Sequence, residues 1–421
     1  MRIAIVSINY RPELTGIGVY TAGLAEHMAQ DGHEVEVLTG FPYYPAWRKA
    51  GPDEWIWRRL ERVTGVVVKR SYLYVPSRPR LLTRVLHEFS FVLSASVRYL
   101  ISKPVDCTLI VSPPMFTGVP IAILARLRGS RTVFHVQDLQ PDAAIELGML
   151  PRGPIADVLL RLERWTYRLC DRVSTISEGM RRRIVGKGVP AEKVILFRNW
   201  ANDDRVRPMA RETALRREWG LEGKFVVLYA GNLGIKQGLG SLLESARLLT
   251  DIAELRIVIV GDGGERADLE NRARNMGLGN VLFRPLQPEE RLSELLATAD
   301  VSVMPQKAGV TDIVLPSKLG NLLCSARPLV VAAAEGSELA RIVAEANCGL
   351  VVGQENSSEI ALAVRELYGD PALRDALGSN GREYMRTHLG HRAVLDSFLA
   401  DLYAINPKWD VGRDLALERF P

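Results

Sequence analysis

Met1-Arg-Ile-Ala-Ile-Val-Ser-Ile-Asn9 runs directly into Tyr10-Arg-Pro12-Glu-Leu-Thr-Gly16-Ile-Gly18-Val-Tyr20. The β-branched apolar run reads as a buried strand, the Pro and Gly residues as a turn, and residues 19–30 as an amphipathic helix. The same grammar continues outward. Apolar runs at 34–38, 66–69, 107–111, 132–136, 173–176 and 194–197 predict further strands, with helices at 81–101, 121–128 and 155–169. It restarts in the second half, with strands at 224–229, 256–260, 281–283, 301–304 and 329–332 and helices at 238–249, 265–276, 288–297 and 316–326. Strands alternating with helices require crossover connections, hence parallel sheets covered on both faces. The expected fold is α/β, with two Rossmann-like doubly wound domains facing across a cleft. The polar stretch 199–221 reads as a hinge with a short helix. Such sheets take ligands beyond the carboxyl ends of their strands.

The chain has 421 residues, 47% of them hydrophobic and 24% charged, the composition of a folded protein of two or three domains. Its four cysteines stand far apart, which suits buried free thiols in a reducing cytosol better than disulfides or a zinc site. The N-terminal apolar run is too short for a signal peptide, and no apolar stretch is long enough to span a bilayer. The net charge is +5, yet between Arg48 and Lys103 twelve Lys or Arg stand against four Asp or Glu, a surplus of eight. A basic segment of this kind implies an anionic partner.

Five segments carry candidate chemistry. Gly16 and Gly18 open a helix whose amides can approach a phosphate, or they simply form a tight turn. A dinucleotide fingerprint is excluded by the missing third glycine and by the absence of an acidic residue after the second strand. Tyr229-Ala-Gly231-Asn232-Leu-Gly234-Ile-Lys236-Gln-Gly238 repeats the strand, turn and helix pattern and adds an ammonium group, which suits a diphosphate leaving group. A solvated surface lysine is its plain alternative. Val258-Ile-Val-Gly261-Asp-Gly-Gly264 is a strand-end turn beside that site or a direct ligand contact.

In Gly309-Val-Thr-Asp312-Ile-Val-Leu-Pro316-Ser317-Lys318-Leu-Gly-Asn321, Ser317 and Lys318 fall in a helix's first turn, with Asn321 one turn on. A lysine there opposes the helix dipole unless an anion offsets it. In His135-Val-Gln-Asp138, the histidine alternates with Phe134 and Val136 and serves either as a core residue or as a polar group of the site. Asp138 begins the loop and can face an acceptor hydroxyl.

Together with Pro42-Tyr-Tyr-Pro45, Ser174-Thr-Ile-Ser177 and Leu315-Pro-Ser-Lys-Leu319, these segments resemble the family 4 retaining glycosyltransferases of GT-B type. Within that family they are similar to the colanic acid fucosyltransferase-like branch of exopolysaccharide enzymes. The likeness covers essentially the whole chain. It implies an acceptor-binding domain at 1–200, a nucleotide-sugar-binding domain at 201–390, and a final helix and tail at 391–421 crossing back to the first domain. It also implies a nucleotide-diphosphate sugar donor, no divalent metal and no other cofactor.

The catalytic candidates are then Lys236, Lys318, Asp138 and His135. The donor-binding candidates are Gly16, Gly18, Gly231, Asn232, Gly234, Gly261, Asp312, Ser317 and Asn321. Two departures matter. Asn232 stands where the family has arginine, and Ile313 and Asn321 stand where it has two glutamates, so the lysines must carry more of the phosphate charge.

The expected acceptor is a membrane-associated saccharide, with a polyprenyl diphosphate carrier fitting the basic segment. Residues 81–101 place Leu81, Leu82, Val85, Leu86, Phe89, Val92 and Leu93 on one face, and Trp47, Trp55, Trp57, Tyr72 and Tyr74 interleave with arginines. Such a surface suits the anionic inner face of the cell membrane, with the chain cytoplasmic and peripheral. A core helix with a solvated rim is the alternative. Other classes remain to be separated: a nucleotide-sugar epimerase or a phosphorylase of the same architecture, a catalytically silent membrane-surface binding protein, and a nucleic-acid binder. The last lacks any accompanying nucleic-acid motif.

Overall fold

The computed structural model describes residues 1–13, 16–44, 47–49, 58–77, 81–146, 150–201, 206–308 and 318–405. The chain divides into two compact units. One is Met1–Arg198 with the chain from Leu395 onward, and the other is Asn199–Val394.

In the first unit the strands are β1 (Arg2–Val6), β2 (Glu34–Gly40), β3 (Arg58–Val63), β4 (Val66–Ser71), β5 (Cys107–Ser112), β6 (Arg131–Val136), β7 (Arg172–Thr175) and β8 (Val194–Leu196). The helices are α1 (Ile17–Gln30), α2 (Leu81–Leu100), α3 (Gly118–Leu127), α4 (Gln140–Glu146), α5 (Pro154–Leu169) and α6 (Glu178–Gly186). The sheet order is β3-β4-β2-β1-β5-β6-β7-β8. All pairings are parallel except β3 with β4.

That edge hairpin departs from the all-parallel expectation. Its two-residue turn, Thr64 and Gly65, has φ of 48° and 84°. Both residues are left-handed, the geometry that matches a hairpin's twist. The hairpin also consumes part of the basic segment. Arg70 is buried, donating to Glu61 at 2.9 Å and to Gly40 O at 3.2 Å, and Lys69 pairs with Glu36 at 2.5 Å. These cations are satisfied within the protein rather than offered to a partner.

The second unit contains α7 (Ala214–Glu218), α8 (Gly240–Leu248), α9 (Arg266–Asn275), α10 (Leu292–Ala297), α11 (Lys318–Cys324), α12 (Glu338–Glu345), α13 (Ser357–Gly369) and α14 (Pro371–Tyr384). Its strands are β9 (Phe225–Ala230), β10 (Leu255–Val260), β11 (Val281–Arg284), β12 (Val301–Pro305), β13 (Leu329–Ala332) and β14 (Gly349–Val352), in the order β11-β10-β9-β12-β13-β14. Each sheet reverses its winding beside its first strand, between β1 and β5 and between β9 and β12. Those are the switch points where crevices open.

The segment 199–221 is more than a polar hinge. Val206, Leu215 and Leu221 sit in the second unit's core, and Arg216 is fully buried. Arg216 donates to Asp300 at 2.6 Å, and the same carboxylate oxygen accepts Val226 N at 2.8 Å. A buried ion pair is tolerated only when its remaining hydrogen-bonding groups are satisfied in this way. The final helix, α15 (His391–Tyr403), contributes Phe398 and Tyr403 to the first unit. Phe398 stacks on Phe197 with ring centroids 4.3 Å apart, and Tyr403 OH lies 2.8 Å from His33 Nε2.

All four cysteines are buried free thiols. Among the described residues, no helix is long and apolar enough to cross a membrane.

Candidate active site

In the second unit the site is built by close approach of backbone. β9 runs straight into Gly231 and β10 into Gly261, adjacent parallel strands whose following turns lie against each other. Gly231 N donates to Val260 O, Leu233 N to Asp262 O, and Glu265 N to Leu233 O, each at 2.9 Å. A Cβ on Gly261 would lie 1.9 Å from Gly231 O, and one on Gly263 would lie 2.3 Å from Leu233 O. Only glycine permits this packing, and both residues also take positive φ.

Gly231 leaves room for a side chain from a distant element. A Cβ there would meet Lys318 Nζ at 2.6 Å. Lys318 begins α11, and its ammonium donates to Tyr229 OH at 2.9 Å while lying 4.4 Å from that ring's centroid. Tyr229 OH in turn donates to Asn232 O at 2.7 Å. Burial pulls the Lys318 ammonium down to about 8, and no carboxylate among the described residues offsets its lost hydration. This is a desolvated cation held beside two glycine turns, the electrostatic complement of an incoming anion.

The other second-unit candidates are placed as follows. Lys236 is exposed in a single turn, Ile235–Gln237, rather than at the start of α8. Its carbonyl accepts Lys307 N at 3.0 Å, tying the turn to the chain just beyond β12. Asn232 is exposed, Gly234 is half-buried beside it, and Asn321 is half-buried one turn after Lys318. Gln237 Oε1 and Gln306 Oε1 are buried without a hydrogen-bond partner among the described residues. Asp312, Ile313 and Ser317 lie outside the described residues.

The first unit carries a cleft of about 630 Å³ at its own switch point. Gly16 and Ile17 at the mouth of α1, Asn9 after β1, and Pro113 and Pro114 after β5 form one wall. Gly16 takes φ of 60°, and Gly18 packs where a Cβ would lie 3.3 Å from Glu13 O. Glu13 is buried and fixes the opposite lip. One oxygen accepts Tyr43 N and Tyr44 N, both at 2.9 Å, and the other accepts Asn9 Nδ2 at 2.8 Å. Beyond that lip, Tyr43 packs edge-on against His87 at 4.5 Å and against Trp47 at 5.4 Å, and the Arg84 guanidinium lies 5.3 Å from the Trp47 ring centroid.

Two carboxyl groups line this cleft, Asp138 and Glu88. Burial raises both, Glu88 to about 7. Asp142, in the first turn of α4 just after Asp138, is instead committed to an ion pair with Lys187 at 2.5 Å.

His135 is not at the cleft surface. It is 1% exposed, in ring contact with Phe197, with Nδ1 2.8 Å from Ser174 Oγ and Nε2 2.9 Å from Gln137 Nε2. The amide donates to Nε2, so Nδ1–H donates to the serine, and burial pushes the imidazole down to about 3. Of the two readings of His135, the core histidine satisfied by hydrogen bonds is the one this geometry matches.

Tyr229, Glu13 and Glu88 were not singled out from the sequence. Tyr229 had a signal in its place at the end of β9. Glu88 had none, because a lone glutamate on a helix resembles any solvated residue.

Helix α2 carries two apolar faces. His87, Phe91, Ala95 and Tyr99 are buried, whereas Leu86, Phe89, Leu93, Val97, Leu100 and Ile101 are exposed, Leu93 by 69%. Val92, expected on the outer face, is buried. The side chains of Leu81 and Leu82, and residues Trp55 and Trp57, lie outside the described residues. Trp47 belongs to the cleft rather than to an interfacial belt. Exposed apolar side chains also stand on α3, which packs against α2, and on α5, which packs against α3: Leu127 on α3 and Ile155, Val158 and Trp165 on α5. Exposed Lys103, Arg126, Arg161, Arg164 and Arg168 flank them.

Comparison with known proteins agrees across both units. The family described as "Glycosyl transferase 4-like domain" matches residues 15–200, and "Glycosyl transferases group 1" matches residues 211–384. Escherichia coli K12 WcaI, named as a colanic acid biosynthesis glycosyl transferase, is 38% identical over 96% of this chain and 100% of its own. Among solved structures, the sucrose-phosphate synthase of Thermosynechococcus elongatus superposes with a TM-score of 0.70 at 18% identity, covering 96% of this chain and 98% of that one. Anabaena HepE in complex with UDP superposes with a TM-score of 0.69 at 15% identity, covering 96% and 100%.

Proposed function

The chain belongs to the family 4 glycosyltransferases of GT-B type, and from that premise we propose that it transfers a hexose-type sugar, with retention, from a nucleotide-diphosphate donor to a lipid-linked saccharide in the synthesis of an exopolysaccharide or another cell-surface glycan. The observation that carries this reading is Lys318, a half-buried, desolvated ammonium held against Tyr229 beside Gly231. A diphosphate seated on the Gly231 and Gly261 turns supplies the counter-charge that no described residue gives this lysine.

As the bond from the sugar's anomeric carbon to the diphosphate breaks, negative charge grows on the leaving oxygen. Lys318 and the more exposed Lys236 stabilise it where it grows, so the chemistry needs no divalent ion. The acceptor hydroxyl attacks from the same face, and its proton passes to the departing phosphate oxygen. Asn321, one helical turn from Lys318, serves the ribose as a neutral hydrogen-bonding group. The acceptor occupies the first unit's cleft, where Asp138 meets a sugar hydroxyl.

A membrane surface suits the exposed apolar stripe on α2 and its neighbours, since a monomer rarely leaves so much apolar surface open. The flanking cations favour anionic lipid, at about 1 kcal/mol for each basic residue near the surface.

The test is transfer by the purified protein from a panel of UDP- and GDP-sugars to polyprenyl-diphosphate-linked glucose and galactose, with the anomeric configuration of the product read by NMR. Transfer with retention supports the reading. Isomerised donor in the absence of acceptor would favour an epimerase instead.

A further inference from the structure

We propose that Glu88 is a specificity-determining residue of the first unit's cleft, donating a hydrogen bond from a neutral carboxyl group to a hydroxyl of an acceptor sugar that packs on Tyr44 and Trp47. The inference rests on the reading that a saccharide acceptor occupies this cleft.

The aromatic surface is a built feature. Tyr44 is exposed, and its backbone is fixed by the buried Glu13. Trp47 holds φ of 51°, a left-handed conformation that a bulky residue keeps only where its surroundings enforce it. Aromatic walls with a few placed polar groups are what an uncharged, hydroxyl-rich ligand requires.

Glu88 lies in the same cleft, and its hydrogen bonding is directional. Met115 N donates to Gln140 Oε1 at 2.8 Å, which orients that amide so that Nε2 points to Glu88 Oε1 at 3.5 Å. Glu88 Oε2 has no partner among the described residues and is left for a ligand. The charged and titratable groups around it are Arg84 and His87 on its own helix, Tyr43 and Tyr44 on the lip, and Asp138 beside Gln140. Arg84 lies over Trp47, and burial holds His87 below its ordinary value.

The carboxyl, raised to about 7 by burial, is therefore already part-protonated at neutral pH. A sugar closing over it removes its remaining water and raises it further, so the neutral form persists in the complex. The sign follows: the bound state holds more proton than the free one, and affinity is full below pH 7 and falls as pH rises above it.

Ligand-observed NMR titration of the full-length protein with octyl β-D-glucoside, octyl β-D-galactoside and octyl α-D-mannoside from pH 6 to 8.5 tests this. The expected result is a preferred glycoside whose Kd is constant below pH 7 and rises by up to about tenfold per pH unit above it. Glu88→Gln, which keeps a neutral donor, should bind that glycoside as the wild type does at pH 6 and lose the pH dependence. Glu88→Ala should bind it at least about tenfold more weakly, the cost of one unmade hydrogen bond in a cleft. A pH-independent Kd in the wild type, or a Glu88→Gln variant that fails to bind while retaining its thermal unfolding midpoint, would overturn the inference and leave the acceptor reading standing. No binding of any of the three glycosides to the wild type at pH 6 would overturn the acceptor reading itself, and this inference with it.

Discussion

The two crevices stand at equivalent places in their sheets and are made by opposite means. In the second unit, backbone meets backbone: Gly261 lies where any side chain would strike the Gly231 carbonyl, and one half-buried, desolvated lysine supplies the charge. In the first unit, side chains do the shaping. Glu13 ties down the lip, Tyr43, Trp47 and His87 pack together, and burial raises Asp138 above its ordinary value and Glu88 to about 7. The first construction suits an anion that amides and an ammonium can grip. The second suits a neutral ligand read through hydroxyl groups. A sugar transferase needs both kinds of site, one for the charged donor and one for the acceptor.

The sharpest way to break this contrast is at Gly261. Gly261→Ala should destabilise the protein by about 3 kcal/mol, the upper range for overpacking, and abolish nucleoside diphosphate binding. Urea unfolding and calorimetry check both parts, and a neutral substitution would mean that the turns do not depend on close approach.

Next in size is Lys318→Ala. Losing one desolvated charge-stabilising donor should cut turnover by at least about a hundredfold in a steady-state transfer assay. Lys236→Ala should cost only about tenfold, because water screens an exposed ammonium. Equal losses in the two variants would remove the distinction between them.

Glu13→Ala tests the side-chain construction. It frees two backbone amides and one side-chain amide, and should cost about 2 kcal/mol of stability while raising the acceptor KM more than the donor KM. The smallest effect belongs to Leu93→Glu. It should reduce co-flotation with anionic vesicles severalfold and leave the unfolding midpoint within about 0.5 kcal/mol of the wild type, since Leu93 is exposed. Unchanged flotation would remove the membrane role of α2.

The same contrast explains what could be read from the chain alone. The two parallel sheets follow from β-branched runs separated by helical spacing, and glycine pairs at strand ends mark Gly231 and Gly261 directly. Lys318 was legible because a cation in a helix's first turn is unfavourable without an anion. Side-chain construction leaves no such trace. Glu88 lies 75 positions from Glu13 in the chain, and only the fold makes one a wall of the cleft and the other the support of its lip. His135 alternates with apolar neighbours, which fits a core or a site equally well until Ser174 and Gln137 are seen around it. The β3–β4 hairpin was hidden because its arginines read as a solvated basic segment, whereas Arg70 and Lys69 are paired within the protein. The burial within segment 199–221 was hidden for a similar reason: Arg216 looks like surface charge until Asp300, 84 positions away, buries it.

The most direct test of the donor site is calorimetric binding of UDP and GDP to the wild type and to Lys318→Met between pH 6.5 and 9.5. An anion binds the charged lysine, whose free form titrates near 8, so affinity is full below that pH and lost as pH rises above it. The expected result is wild-type affinity that is flat to about pH 8 and then weakens toward tenfold per unit, with a variant that is weak and pH-independent. A Lys318→Met protein that binds as tightly as the wild type, with the same pH profile, would contradict the account.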